Sequence, residues 1–205
     1  MSGMLDVDAI RSAVDDFFVC VGSGEVEFYN EFSLQHEIGI HLRAALGGRF
    51  KVQFERPTDY FDISGRTEKR EIDISVFSED KLTKAALELK FPRSGQYPEQ
   101  MFSACRDLAF LEDLVRAGFA FGLFVMCVED ALFCRGAANG PLYGAFRAGS
   151  VLTGVIRKPT GARDRSVELN GAYRIEWQAA GDVRYAVVPV DPVSVGGQEL
   201  GSERA

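Results

Sequence analysis

The chain has no CxxC pair, and its two histidines, His36 and His41, stand at no zinc-finger spacing from Cys20, Cys105, Cys127 or Cys134, so a structural zinc site is not expected. The four cysteines read instead as reduced thiols in or near a core. Long apolar runs are also missing. The longest, Ala117 to Val128 ("AGFAFGLFVMCV"), falls short of the roughly 20 residues that span a bilayer. The opening "MSGMLDVDAI" has no basic stretch leading into an apolar one, as a secretory signal would. The expectation is a cytoplasmic protein with no membrane partner. Basic residues are in the minority, with a formal net charge of −7, and no repeat or low-complexity segment occurs.

With 46% hydrophobic and 26% charged residues, the 205-residue chain fits one domain with extensions. The expected organisation is a core over about 29–134, a β-rich extension over about 135–195 and a tail at 196–205. "MLDVDAIRSAVDDFFVC" predicts a first helix. "NEFSLQHEIGIHLRAALGG" predicts a second, with Asn30 as N-cap, Leu34, Ile38, Leu42 and Ala45 on one stripe, and Gly47-Gly48 as its stop. "RFKVQFERP" predicts a strand ended by Pro57, and "KREIDISVFSEDKLTKAALELKFP" predicts two strands joined at "SEDK". A helix from Pro98 to about Ala117 follows, then the continuously apolar strand "FGLFVMCV", of the kind covered on both faces in an α/β sheet. Beyond Gly136 the pattern predicts short strands, "VLTGVI", "YRIEW" and "VRYAVVPV", between glycine-rich turns.

Charge is unevenly spread. From Arg135 to Arg165 six basic residues (Arg135, Arg147, Arg157, Lys158, Arg163 and Arg165) meet one acid, Asp164. A polyanion can dock on such a stretch if its side chains gather in space, and Arg157 and Lys158 are the expected substrate contacts.

The strand "KAALELKFP" poses the chemical question. Alternation puts Ala86, Glu88 and Lys90 on one face and Leu87, Leu89 and Phe91 on the other. In the preceding strand Ile72, Ile74 and Val76 alternate with Glu71, Asp73 and Ser75. An even-length hairpin loop sets Asp73 opposite Ala86 or Glu88, so Asp73, Glu88 and Lys90 converge. Two carboxylates this close repel unless a cation lies between them, and Mg²⁺ binds through one or two carboxylates plus waters and substrate phosphates. A nearby lysine can orient or deprotonate a water, or neutralise charge on a phosphate. An E-x-K triplet in a strand is more commonly an exposed edge pair. Here the apolar flanks argue for a central strand, where a charged face needs a reason. Asp59 and Asp62 in "PTDYFD" are rival carboxylates, Gln100 is a polar side chain able to face the site, and His36 and His41 read as helix-surface or core-rim residues.

The helix bearing Glu37, the strands "VQFE", "REIDISVF" and "LELKF", and the helix and apolar strand after them resemble the core of the PD-(D/E)XK nuclease superfamily, over roughly residues 29–128. Ile72 stands where the proline of that name would be. The resemblance implies a restriction endonuclease-like α-β-β-β-α-β core with a mixed central sheet. It also implies a Mg²⁺- or Mn²⁺-dependent nuclease acting on DNA, in which Asp73 and Glu88 bind the metal with the Leu89 carbonyl. Lys90 would position or activate the attacking water, and Glu37 would supply a further carboxylate from the first core helix. The acidic net charge leaves room for a partner subunit or homodimer that brings basic surface. A noncatalytic binding module on the same fold is the competing expectation.

Overall fold

The computed structural model describes residues 5–63, 67–93, 95–160 and 165–192; the expected tail at 196–205 and Arg163 lie outside the described residues. Two helices lead: α1 (Val7–Ser23) and α2 (Glu31–Leu46). Three strands follow, β1 (Lys51–Pro57), β2 (Glu71–Phe77) and β3 (Lys84–Lys90), then α3 (Tyr97–Arg116) and β4 (Phe121–Val128). The order from α2 to β4 is therefore α-β-β-β-α-β. The chain continues through α4 (Gly140–Ala148), β5 (Leu152–Arg157), β6 (Ser166–Tyr173), β7 (Gln178–Ala180) and β8 (Val183–Val190).

Local sequence explains the boundaries. The Asn30 side chain accepts from the Ser33 amide at 2.8 Å while the Ser33 hydroxyl accepts from the Asn30 amide at 3.0 Å, a reciprocal cap that fixes where α2 starts. Gly47 closes α2 with a left-handed φ of 58°. Leu34, Ile38 and Leu42 are buried as expected, but Ala45 is exposed and Leu46 takes the last core position, the larger side chain winning where the stripe drifts. Six residues, Ser78 to Thr83, join β2 to β3, and the Ser78 amide donates to the Thr83 carbonyl at 2.9 Å.

The main sheet has six strands in the order β1-β2-β3-β4-β8-β7. The β3–β4 pair is parallel and the others antiparallel, so this is an α/β fold with a mixed sheet. One face carries α1 and α2 over Ile74, Val76, Leu87, Leu89, Leu123 and Val125. The opposite face carries α3, α4 and the β5–β6 pair over Phe77, Ala86, Phe124 and Met126. All eight residues of β4 are buried, as expected for a strand covered on both sides. Gly122 lets α3 approach it, since a Cβ there would lie 2.9 Å from Leu111 Cβ. Among the described residues no helix is long and apolar enough to cross a membrane.

Three expectations change. Residues 140–148 form a helix where a glycine-rich turn ahead of "VLTGVI" was expected; Leu142, Ala145 and Phe146 make its buried stripe, which the flanking glycines hid. "YRIEW" divides, with β6 ending at Tyr173, and β8 joins the main sheet beside β4 rather than forming part of a separate extension. Finally, Ile72 joins the apolar cluster under α3 whereas Ile74 and Val76 join the one under α1 and α2, so the alternation of β2 slips at Asp73. Glu55 in β1 has a φ of +50°, and the pairing of β1 with β2 runs Phe54–Ile74 and Arg56–Ile72 without joining Glu55 to Asp73. A non-glycine residue in this region costs on the order of 1–3 kcal/mol and persists where its surroundings hold it.

Candidate active site

The β2–β3 ladder runs from Phe77–Lys84 to Ile74–Leu87 and stops. At its end side chains replace backbone partners. The Asp73 amide donates to Glu88 Oε1 at 3.2 Å, and the Leu89 amide donates to Asp73 Oδ2 at 2.7 Å. Two buried backbone donors are thereby satisfied, and both carboxylates are fixed at one point of the sheet. The expectation that Asp73 and Glu88 converge holds.

Lys90 lies beside them. Its ammonium is 3.1 Å from Asp107 Oδ2 and 3.9 Å from Glu31 Oε1. Asp107 comes from the middle of α3, and Glu31, the first residue of α2, also receives the Phe91 amide on Oε2 at 2.8 Å. A second lysine completes the group. Lys69, two residues before β2, contacts Glu88 Oε2 directly and lies 3.5 Å from Asp73 Oδ1 and 3.3 Å from Asp107 Oδ1. Four carboxylates (Glu31, Asp73, Glu88, Asp107) thus share two ammoniums (Lys69, Lys90), an excess of two acidic groups in a largely buried place.

Burial and mutual repulsion act on these groups in the expected sense. Burial, opposed by Lys69, pushes the Asp73 carboxyl up to about 6. Glu88, which has no exposed surface, is pushed well above the ordinary range by burial and by Asp73. Burial works to lower Lys69, yet Glu88, Asp107 and Asp73 outweigh it and raise its pKa. Lys90 is raised too, with Asp107 and Glu31 overcoming burial. Both lysines are therefore held charged at neutral pH.

Gln35, one turn along α2 from Glu31 and 6% exposed, donates through Nε2 to Glu55 Oε1 at 2.7 Å and to the Asp73 carbonyl. It ties α2 to the kink in β1 and to the backbone of Asp73. Glu37 is not brought to the cluster. It lies two residues beyond Gln35, about 200° around the helix, with His36 3.5 Å away. The helix-borne carboxylate at this site is Glu31. The rivals Asp59 and Asp62 are exposed at a 3₁₀ turn, and Gln100 makes no hydrogen bond to the cluster among the described residues. His36 is exposed and His41 packs its ring 6.1 Å from Phe17, as expected of surface and rim positions. All four cysteines are free, with Cys105 and Cys127 buried and Cys20 and Cys134 half-buried.

The sequence carried signals for two of the missed residues. Asp107 is an acid among core positions of α3, beside Ala104, Cys105, Leu108 and Leu111, and a buried acid needs a partner. Gln35 interrupts the apolar stripe of α2 in the same way. Lys69 had no signal, since nothing in "RTEKREI" distinguishes it from a solvated charge.

Among the described residues, Arg147, Arg157 and Lys158 of the Arg135 to Arg165 stretch do not gather into one patch. Arg147 is spent on the carbonyls of Leu132 and Ala137. Arg157, the last residue of β5, and Lys158, just beyond it, go to different places: Arg157 lines an apolar cavity of about 320 Å³ with Leu142 and Pro159, while Lys158 lines a cleft of about 650 Å³ with Arg106, Arg165, Glu68 and Glu99. Arg106 and Glu68, the sequence neighbours of Asp107 and Lys69, pair at 3.0 Å in this cleft, but none of the cluster's own side chains lines it.

Whether the cluster suits a metal is decided by its donors. Among the described residues no three Asp, Glu, His or Cys side chains stand as a ready metal cage. The carboxylate oxygens are nevertheless gathered around a cation, the Lys69 ammonium, and Asp107 Oδ2 is buried with no donor aligned on it. Hard oxygen donors in charge excess fit a Mg²⁺- or Mn²⁺-like ion. No protein-family model, curated protein or solved structure matches the chain.

Proposed function

We propose that this chain is a metal-dependent nuclease that hydrolyses phosphodiester bonds of DNA, with a restriction endonuclease-like core from α2 to β4. The observation that carries the reading is the meeting of Asp73 and Glu88 at the frayed end of the β2–β3 hairpin, with Lys90 joined to them through Asp107, which Lys69 also contacts. Asp73 and Glu88 would hold Mg²⁺ or Mn²⁺, with Glu31 taking the helix-borne place expected of Glu37. Bound there, the metal would polarise a phosphoryl oxygen and lower the pKa of its water.

The chain's own residues narrow the rest. Lys90 is held protonated by Asp107 and Glu31, so it serves as a hydrogen-bond donor and positive charge, orienting water and neutralising a phosphate, rather than as a general base. Asp107 fixes Lys90. Gln35 fixes the backbone of Asp73. Arg106, Lys158 and Arg165 line a cleft that also holds Glu68, the neighbour of Lys69, and would provide contacts for the backbone of a bound strand.

A second reading, a noncatalytic module for nucleic acid or protein, is favoured by one observation: Lys69 already supplies a cation to three of the carboxylates. Cleavage of plasmid and branched DNA with Mg²⁺ or Mn²⁺ separates the two. The nuclease reading requires cleavage by the wild type and its loss in Asp73→Ala and Lys90→Ala, with binding in Ca²⁺ retained. Equal DNA binding by all three proteins, with no cleavage by any, establishes the module.

A further inference from the structure

We propose that Lys69 is a resident counter-cation that a divalent metal displaces, so that its ammonium and the metal hold the same carboxylates in turn. The inference rests on the metal-dependent reading above and adds to it a residue outside the expected site.

The Lys69 ammonium reaches one oxygen from each of Asp73, Glu88 and Asp107, residues carried by β2, β3 and α3. No other cation does so among the described residues; Lys90 faces Asp107 and Glu31 only. Without Lys69, Glu88, fully buried, would face Asp73 and Asp107 with no positive charge beside it, a costly state for a buried carboxylate. Lys69 thus does in the metal-free protein what a metal would do in the loaded one. Both cannot hold the same oxygens, because two cations at contact distance repel strongly where water is scarce.

The position of Lys69 suits exchange. It lies before β2 in no regular element, and its side chain is 29% exposed although its ammonium faces buried acids. Withdrawal therefore needs rotation about side-chain bonds toward solvent, not repacking of a strand. Lys90, 13% exposed at the end of β3, has less freedom to leave. The asymmetry assigns the two lysines different roles: Lys90 stays as the charge beside the metal, and Lys69 yields to it.

The exchange is testable on the unaltered protein. Amine-reactive footprinting with mass-spectrometric readout should show Lys69 protected without metal and labelled several-fold faster in saturating Ca²⁺, with Lys158 unchanged. Isothermal titration of Mg²⁺, Mn²⁺ and Ca²⁺ should give roughly tenfold or greater tightening in Lys69→Met, which removes a competing charge. Metal binding with Lys69 still protected overturns the exchange and leaves the metal reading standing, as does unchanged affinity in a folded Lys69→Met. No binding heat in either protein, with no change in labelling, overturns both.

Discussion

The Asp73 amide donates to the Glu88 carboxylate at 3.2 Å, while the Asp73 carboxylate takes the next amide along from Glu88, that of Leu89, at 2.7 Å. Each acid therefore finishes the ladder of the other's strand, and neither can be removed without exposing a buried donor. The groups proposed to bind metal are also those that close the hairpin, which ties site and fold together.

This coupling yields opposite outcomes for two substitutions of Glu88. Burial and Asp73 raise its carboxyl against the opposing pull of Lys69, so burial penalises the charge there and a neutral group of the same shape is tolerated. Glu88→Gln keeps an oxygen for the Asp73 amide and is expected to hold or raise the melting temperature without metal, while abolishing any shift with Mg²⁺. Glu88→Ala leaves that amide unpaired and should cost about 1–3 kcal/mol. Thermal melts without metal and across a dilution series of Mg²⁺ or Mn²⁺ check both. A Glu88→Gln protein that melts well below wild type would show that the charged Lys69 pair dominates.

Gln35 joins the kinked Glu55 to the backbone of Asp73. Gln35→Leu keeps its volume and removes both bonds, so stability should fall by about 1–3 kcal/mol. With Asp73 less firmly held, cleavage should fall more than DNA binding does. Denaturant melts and single-turnover kinetics on one DNA substrate measure the two effects.

Glu112, 6% exposed on α3, anchors the β5–β6 pair: its carboxylate accepts from the amides of Asn170 and Gly171 at 2.9 and 2.7 Å and from the Tyr173 hydroxyl at 2.7 Å. Burial alone would raise its pKa, but these donors prevail and lower it. Its contribution is therefore present above the unfolded value, about 4.3, and is lost as pH falls through the lower folded value. Glu112→Gln should cost about 1.5–3 kcal/mol at pH 7, and the gap to wild type should close below about pH 4. Urea melts across pH 3–7 test the sign.

The elements were legible because their signals are local. The Asn30 cap, the Gly47 stop, the alternation on β3 and the unbroken apolar run of β4 each act within a few residues, so the positions of α2, β3 and β4 could be read from the chain. Asp73 and Glu88 were legible because a hairpin's register converts spacing into proximity. Glu31 and Glu37 share a helix, and choosing between them requires knowing which side of α2 meets the end of β3, a tertiary fact. Lys69 and Asp107 meet through α3 packing on the sheet, for which the local sequence carries no distance information.

The adjacent residues Arg157 and Lys158 provide the last test, because at the end of β5 they go to different places. Lys158 pairs with Glu99 at 3.0 Å and lines the cleft with Arg106 and Arg165, whereas Arg157 lines the separate cavity by Leu142. If the cleft carries a DNA backbone, Lys158→Ala should weaken binding and reduce the slope of log K against log salt by about one for each phosphate that is no longer neutralised. Arg157→Ala, one residue away and of the same charge change, should leave both nearly unaltered. Combining Lys158→Ala with Arg165→Ala should lower the slope further. Cleavage at saturating DNA should persist in all of them, since none touches Asp73, Glu88 or Lys90. Binding measured in Ca²⁺ between about 50 and 200 mM salt decides the matter. Equal effects from Arg157→Ala and Lys158→Ala would mean that overall charge, not this cleft, attracts the DNA.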